Sequence, residues 1–171
     1  MSEEEVTPLR AVSAAVRKDE LETLQALLQQ HPELRDYHSV TTPSWLCTAA
    51  STGSMRVAQW LIATGMAVNT TDEKGHSCAL TFAISNDDME MVHLLIDNGA
   101  DPNLCRALFR AIRRDNETLG LAIAEMLVAH GADATKKYNF AGIDEVDAIE
   151  FAQLREKPRI HAFLKAASGR E

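Results

Sequence analysis

The stretch Leu95-Ile96-Asp97-Asn98-Gly99-Ala100-Asp101-Pro102-Asn103 decides how this chain reads, because it returns twice in phase. Leu61-Ile62-Ala63-Thr64-Gly65-Met66-Ala67-Val68-Asn69 stands 34 residues before it, and Leu127-Val128-Ala129-His130-Gly131-Ala132-Asp133 stands 32 after it. An apolar run closed by Gly is a helix that stops in a left-handed cap, since Gly adopts positive φ without a Cβ penalty. A second marker keeps the same phase: Ala15, Ala49, Ala83 and Ala111, at steps of 34, 34 and 28. Self-similarity at this period means stacked supersecondary units rather than a single closed core.

Each repeat has the same physical grammar. A short helix carries small residues at its tight positions, as in Cys47-Thr48-Ala49-Ala50 or Leu80-Thr81-Phe82-Ala83-Ile84. A polar turn follows, as in Arg17-Lys18-Asp19, Ser51-Thr52-Gly53 or Ser85-Asn86-Asp87. A longer helix then sets apolar residues three and four apart, as at Val57, Trp60 and Leu61 or Met91, Leu94 and Leu95. The stretch from Asn69 to Gly75 is rich in turn formers and predicts a hairpin-like projecting loop.

These residues resemble the ankyrin repeat, a unit of about 33 residues made of a turn and two antiparallel helices. The match rests on Asp72-x-x-Gly75, Leu80-x-x-Ala83 and Glu90-Met91-Val92-x-Leu94-Leu95-Ile96-x-x-Gly99-Ala100-Asp101-x-Asn103, with Gly131-Ala132-Asp133 repeating the triplet. The resemblance implies an all-α solenoid of about five helix-turn-helix repeats with projecting loops, forming one domain over 1–171. The repeats span roughly 7–36, 40–71, 72–103, 104–135 and 136–166, the first and last acting as caps that shield the apolar ends of the stack. The chain departs from the family in places. The Thr-Pro-Leu-His start is absent, with Ser44-Trp45-Leu46-Cys47 in its place. The loop entering the fourth repeat is short, and four extra residues, Glu117 to Gly120, fall between that repeat's helices.

Composition narrows the function. The net charge of -8 disfavours nucleic acid and anionic membranes, both of which need a basic field. Three cysteines without a C-x-x-C, together with an N-terminus lacking a basic and apolar leader, predict a cytoplasmic protein. No phosphate-binding loop, nucleophile elbow or H-E-x-x-H occurs, and the six histidines never fall four apart on a helix. Neither a cofactor nor a metal is expected. The resemblance likewise implies a scaffold without an active site, hence no enzyme.

What remains is a surface. In ankyrin-like proteins the partner usually lies against the first helices and the loop tips, and carrying that over selects the positions after each helix-opening Ala. They are Arg17 and Lys18, Ser51 and Thr52, Ser85 and Asn86, Arg113 and Arg114, and Arg155. Five of these nine are cationic, which predicts basic patches flanking a neutral polar middle, although solvated turns alone account for such residues equally well. Tyr37, Trp45, Tyr138 and Phe140 fall in or beside loops and are aromatic anchor candidates, with loop packing as the ordinary alternative. Glu73 and His76 sit on the loop that best keeps the family pattern, whereas Trp60 has core spacing.

The expected function is stoichiometric binding of another protein by a chain that is monomeric when free. Size, acidity and the lack of a second domain resemble bacterial immunity proteins, which neutralise a cognate toxin by covering it. The alternatives are a cytosolic regulatory adaptor or enzyme inhibitor and, from a different class, an enzyme or small-molecule binder.

Overall fold

A computed structural model describes residues 7–38, 44–140 and 143–169. The chain packs as two compact units, Met1–Ala100 and Asp101–Glu171. The first unit holds three helix pairs: α1 (Pro8–Arg17) with α2 (Leu21–Gln30), α3 (Trp45–Thr52) with α4 (Met55–Ala63), and α5 (Ala79–Ser85) with α6 (Met89–Asp97). The second holds α7 (Ala107–Ile112) with α8 (Glu117–Ala129), then the hairpin β1 (Tyr138–Phe140) and β2 (Ile143–Val146), then α9 (Ala148–Leu154) with α10 (Pro158–Ala167).

Short polar side chains start these helices by capping otherwise unsatisfied N–H groups. Ser44 Oγ accepts from Cys47 N at 3.3 Å, Asp88 Oδ1 from Met91 N at 3.0 Å and Asn116 Oδ1 from Leu119 N at 3.2 Å. Asp147 and Glu150 form a reciprocal capping box on α9.

The two sequence markers become two recurring bonds. After the helix-opening Ala, the chain reverses through one left-handed residue, at Asp19, Gly53, Asp87 and Glu156, with φ of 57, 71, 58 and 55°. The amide beyond it then bonds back to the Ala carbonyl at three of the four marker positions, Glu20 to Ala15, Ser54 to Ala49 and Asp88 to Ala83, and in the last pair Lys157 to Ala152, at 2.9 to 3.1 Å, whereas the fourth marker, Ala111, accepts from Arg114 at 3.1 Å. These alanines are at most 1% exposed, because neighbouring helices pass over them too closely for a longer side chain. At the end of the long helices, Gly65, Gly99 and Gly131 take φ of 90, 84 and 94°. There Met66, Ala100 and Ala132 donate to Leu61, Leu95 and Leu127, each at 2.9 Å.

Side chains join neighbouring pairs within each unit. In the first unit Asp19 caps α4 from the preceding pair, accepting from Val57 N at 2.8 Å and Arg56 N at 3.3 Å. Asn69 Nδ2 donates to Gly99 O at 2.9 Å. The second unit repeats both devices. Glu117 Oε1 accepts from Arg159 N at 2.9 Å, and Asn103 donates to Gly131 O at 2.9 Å while accepting from Asp133 N at 2.8 Å. Each such bond is worth about 1 kcal/mol net.

The helical-repeat expectation holds, with two corrections. Glu117 to Gly120 are not a linker between helices; they are the first turn of α8, which runs 13 residues against 9 in α4 and α6. The extra turn is accommodated because residue 120 is Gly: a Cβ there would lie 2.6 Å from Ala111 O. Tyr138 and Phe140, expected in or beside a loop of an all-α chain, belong to an antiparallel hairpin pairing Tyr138 with Val146 and Phe140 with Ile143. The loop at Asn69 to Gly75 does turn as a hairpin, closed by Asp72 N donating to Ser77 O at 3.0 Å and a Thr71–Cys78 bridge.

Candidate partner-binding surface

In the first unit, three of the residues singled out by sequence meet in one hollow. Arg17, Tyr37 and Trp45 line a cavity of about 210 Å³ together with Leu9, Arg10, Ser13, Ser44 and Thr48. Its side is the stripe Arg10, Ser13 and Arg17, which lie three and four residues apart on α1 and so share a face. Its floor is a stacked aromatic pair: the Tyr37 and Trp45 rings are 5.7 Å apart at 27°. Sequence placed Trp45 in or beside a loop, as an anchor candidate with packing as the ordinary alternative. Trp45 opens α3, is 4% exposed and donates Nε1–H to Leu34 O at 2.7 Å. It therefore supports Tyr37, which is 38% exposed and offers the accessible ring face.

Cys47 lies in the same helix and is not a reactive group. Burial pushes its thiol up to about 11, against which the Ser44 hydrogen bond is the smaller effect.

The middle turns of the first unit are more structural than sequence suggested. Ser51 Oγ donates to Thr48 O at 2.8 Å, Thr52 Oγ1 to Thr48 O at 3.0 Å, and Ser85 Oγ to Thr81 O at 2.7 Å. Asn86 Nδ2 reaches back to Ser51 O at 2.8 Å and Ala50 O at 3.3 Å, which commits it to joining α5 to α3. Glu73 and His76 are exposed on the hairpin tip. Partial burial raises the Asp72 carboxyl there, but donation from His76 N and Ser77 outweighs it and holds the group below its usual range.

The second unit carries its own set. Arg113 is exposed, whereas Arg114 is half-buried, and its carbonyl accepts Lys157 Nζ at 2.7 Å. The two arginines are therefore not equivalent. Tyr138 is half-buried, stands edge-on to Phe109 at 5.3 Å and lies under two cations, Arg106 at 5.3 Å and Lys136 at 5.6 Å. Phe140 ends β1, and its side chain lies outside the described residues. Arg155 is exposed at the C-terminus of α9.

Sequence reasoning missed Arg10, Ser13, Thr48, Arg106 and Lys136. The α1 stripe was readable from its spacing, but Thr48 was concealed inside an apparently apolar helix. Arg106 is placed by two successive left-handed residues, Cys105 and Arg106 with φ of 52 and 58°, which no local motif announces. Among the described residues there is no group of three or more metal-ligating side chains and no helix long and apolar enough to cross a membrane.

Paired helices locked by repeating caps, with the residues named above gathered at turns and around two aromatic clusters, define a helical-repeat scaffold. A model of ankyrin repeats in three copies matches residues 12–106 and 46–138, and the chain belongs to the ankyrin-repeat family. Ankyrin repeats are generally protein–protein interaction modules. The chain is also similar to Potassium channel AKT2/3 of Arabidopsis thaliana, 34% identical over 85 residues, covering 45% of this chain and 10% of that protein. It thus spans about a tenth of the length of that relative.

Proposed function

We propose that this chain acts by binding another protein stoichiometrically and without catalysis, through the turn residues and aromatics of its helix pairs. The observation that carries this reading is a set of uncommitted cations. The exposed side chains of Arg17, Lys18, Arg113 and Arg155 make no hydrogen bond or ion pair among the described residues, in a chain of net charge -8. An acidic protein that needed these cations only for folding would pair them with its own carboxylates. Here they stay available to a partner, and Arg is a frequent hot-spot residue.

The test is a quantitative pull-down from native lysate with the wild type, with Arg17→Glu plus Lys18→Glu and with Arg113→Glu plus Arg114→Glu. Stoichiometric capture by the wild type, lost in one charge-reversed variant that still folds, is the expected result. Equal capture by all three removes the assignment of the surface.

Within this class the favoured role is neutralisation of a cognate toxin, supported by the net charge of -8 and by exposed cations that, among the described residues, the chain's own carboxylates leave unpaired. A 1:1 complex with a toxin encoded beside it and rescue of cells from that toxin are expected; failure to protect leaves the regulatory adaptor or inhibitor. A cytoplasmic location fits three buried cysteines outside any disulfide. The free protein is expected to be monomeric, which light scattering reads directly.

A further inference from the structure

We infer that the groove between the loop at 35–38 and the hairpin at 70–73 seats a short, extended, basic segment of the partner, with its cations on the Asp36 and Glu73 carboxylates and against the Tyr37 ring. This rests on the protein-binding reading above and adds the chemistry of what the loop tips hold.

The first observation is the groove itself, which lies wholly within the first unit. Its volume is about 660 Å³, with Arg35, Asp36 and Tyr37 on one side and Asp72 and Glu73 on the other. A volume within the roughly 300–1,000 Å³ of ligand clefts exceeds one side chain and takes a stretch of chain. Both sides are braced without a partner. Arg35 Nη2 donates to the carbonyl of Thr64, the residue that closes α4. Asp72 Oδ1 accepts from His76 N at 2.7 Å and so holds the hairpin tip. Tyr37 is stacked on Trp45, which does not line the groove, so the ring is fixed from its other side. A preformed groove spares its ligand part of the ordering cost.

The second observation is charge. Residues 1–100 hold six Lys and Arg against fourteen Asp and Glu, whereas residues 101–171 hold eleven of each. The whole excess of -8 therefore belongs to the first unit. In the groove the carboxylates of Asp36, Asp72 and Glu73 meet one guanidinium, that of Arg35, which is already committed to a carbonyl. Elsewhere in the unit carboxylates do find internal partners: Glu22 lies 2.6 Å from Arg56 and Glu33 lies 3.3 Å from His31. The carboxylates of Asp36 and Glu73 make no hydrogen bond or ion pair among the described residues. A cleft lined by one sign of charge concentrates the opposite sign.

The aromatic ring selects the form of the cation. Tyr37 is 38% exposed and adjoins Asp36, and a Lys or Arg head group is attracted to the face of such a ring. A bare metal ion would use the carboxylates and leave the ring idle. A basic side chain uses both, and two such side chains on one backbone reach both sides of the groove.

The test uses labelled, end-blocked octapeptides on the full chain, read by fluorescence anisotropy. One carries two arginines flanking a central residue, the second has glutamates in their place, and the third has glutamines. The arginine peptide is expected to bind with Kd below about 1 mM. High salt should weaken it. Asp36→Lys plus Glu73→Lys should weaken it about tenfold. Tyr37→Leu should weaken it about threefold. Glu90→Lys plus Asp97→Lys makes the same change in net charge at exposed positions of α6 outside the groove. That pair should leave the affinity within about twofold of the wild type, since distant exposed charges are screened. Equal binding of the glutamate or glutamine peptide, equal binding of free arginine amide, or equal weakening by the α6 pair overturns the proposal. So does unchanged affinity in folded Asp36→Lys plus Glu73→Lys. If lysate capture persists while the arginine peptide fails, the groove is misassigned and protein binding stands; if capture fails too, both readings fall.

Discussion

The turn between the helices of the third pair and the turn between those of the fourth solve the same problem in different ways. At Ser85–Asp88 a single left-handed residue, Asp87, reverses the chain, and Asp88 both bonds back to Ala83 and caps α6. At Arg113–Asn116 no residue takes positive φ; Arg114 N bonds to Ala111 O at 3.1 Å, and the chain runs on to a new cap at Asn116. The cost of losing the tight turn is met by the helix that follows, which gains a turn, and by Lys157, whose ammonium group satisfies the carbonyls of Arg114 and Asp115 at 2.7 and 3.3 Å. Equivalent positions in sequence are therefore not equivalent surfaces: Arg17 and Lys18 open a tight turn, while Arg114 lies in the looser one, where Lys157 takes its carbonyl.

The comparison breaks hardest at Gly120. Gly120→Ala places a methyl group against the Ala111 carbonyl, a backbone atom that cannot rotate away. Overpacking of this kind costs about 1–3 kcal/mol, and the roughly 1 kcal/mol helix gain of Ala over Gly offsets only part of it. We expect a net loss of about 1 kcal/mol by urea denaturation. A neutral result would show that the long α8 does not depend on close approach to α7.

The regular turns are probed from the other side. Asp19→Ala removes the acceptor of two amides at the start of α4, and a lost helix cap costs about 1 kcal/mol. Thermal melting should show the loss, and Asp19→Asn, which keeps an acceptor, should recover most of it. Glu156 occupies the left-handed position that Gly53 fills in the second pair. Glu156→Gly relieves a conformation costing about 1–2 kcal/mol for a side chain, against the entropy Gly adds to the unfolded state. A net gain of about 0.5 kcal/mol is expected, and a loss would mean that the Glu156 side chain has a role of its own.

The contrast also explains what could be read from the residues alone. Helix pairs, Gly stops and buried alanines were legible because each follows from local chemistry repeated in phase. The fate of Glu117 to Gly120 was not, since four residues inserted between helices extend a loop or a helix equally well until the packing at Ala111 is known. The choice between packing and projection at Trp45 was open for a related reason: it follows the N-cap Ser44, but only the carbonyl of Leu34, distant in sequence, turns its ring inward. Arg17 and Tyr37 were found as types, whereas their meeting over Thr48 depends on how α1 packs on α3, which sequence periodicity leaves open.

The loops after the long helices give the smallest and most selective effect. Asp133 accepts both the amide and the hydroxyl of Thr135, at 2.8 and 2.7 Å, while at the matching place in the first unit Ala67 can make no such turn. The Thr135 hydroxyl, then its amide, hold the Asp133 carboxyl below its ordinary value of 3.8. A depressed folded pKa means that the contribution is complete above 3.8 and disappears as pH falls through the lower folded value. Asp133→Ala should therefore melt below the wild type at neutral pH, and the gap should close as the pH falls through that acidic window. Ala67→Asp supplies the converse: if a carboxylate after Gly65 builds the same turn, it should raise the melting temperature at neutral pH and lose that gain on acidification. A gap for Asp133→Ala that stays constant with pH would mean that the side chain acts through packing rather than through its charge.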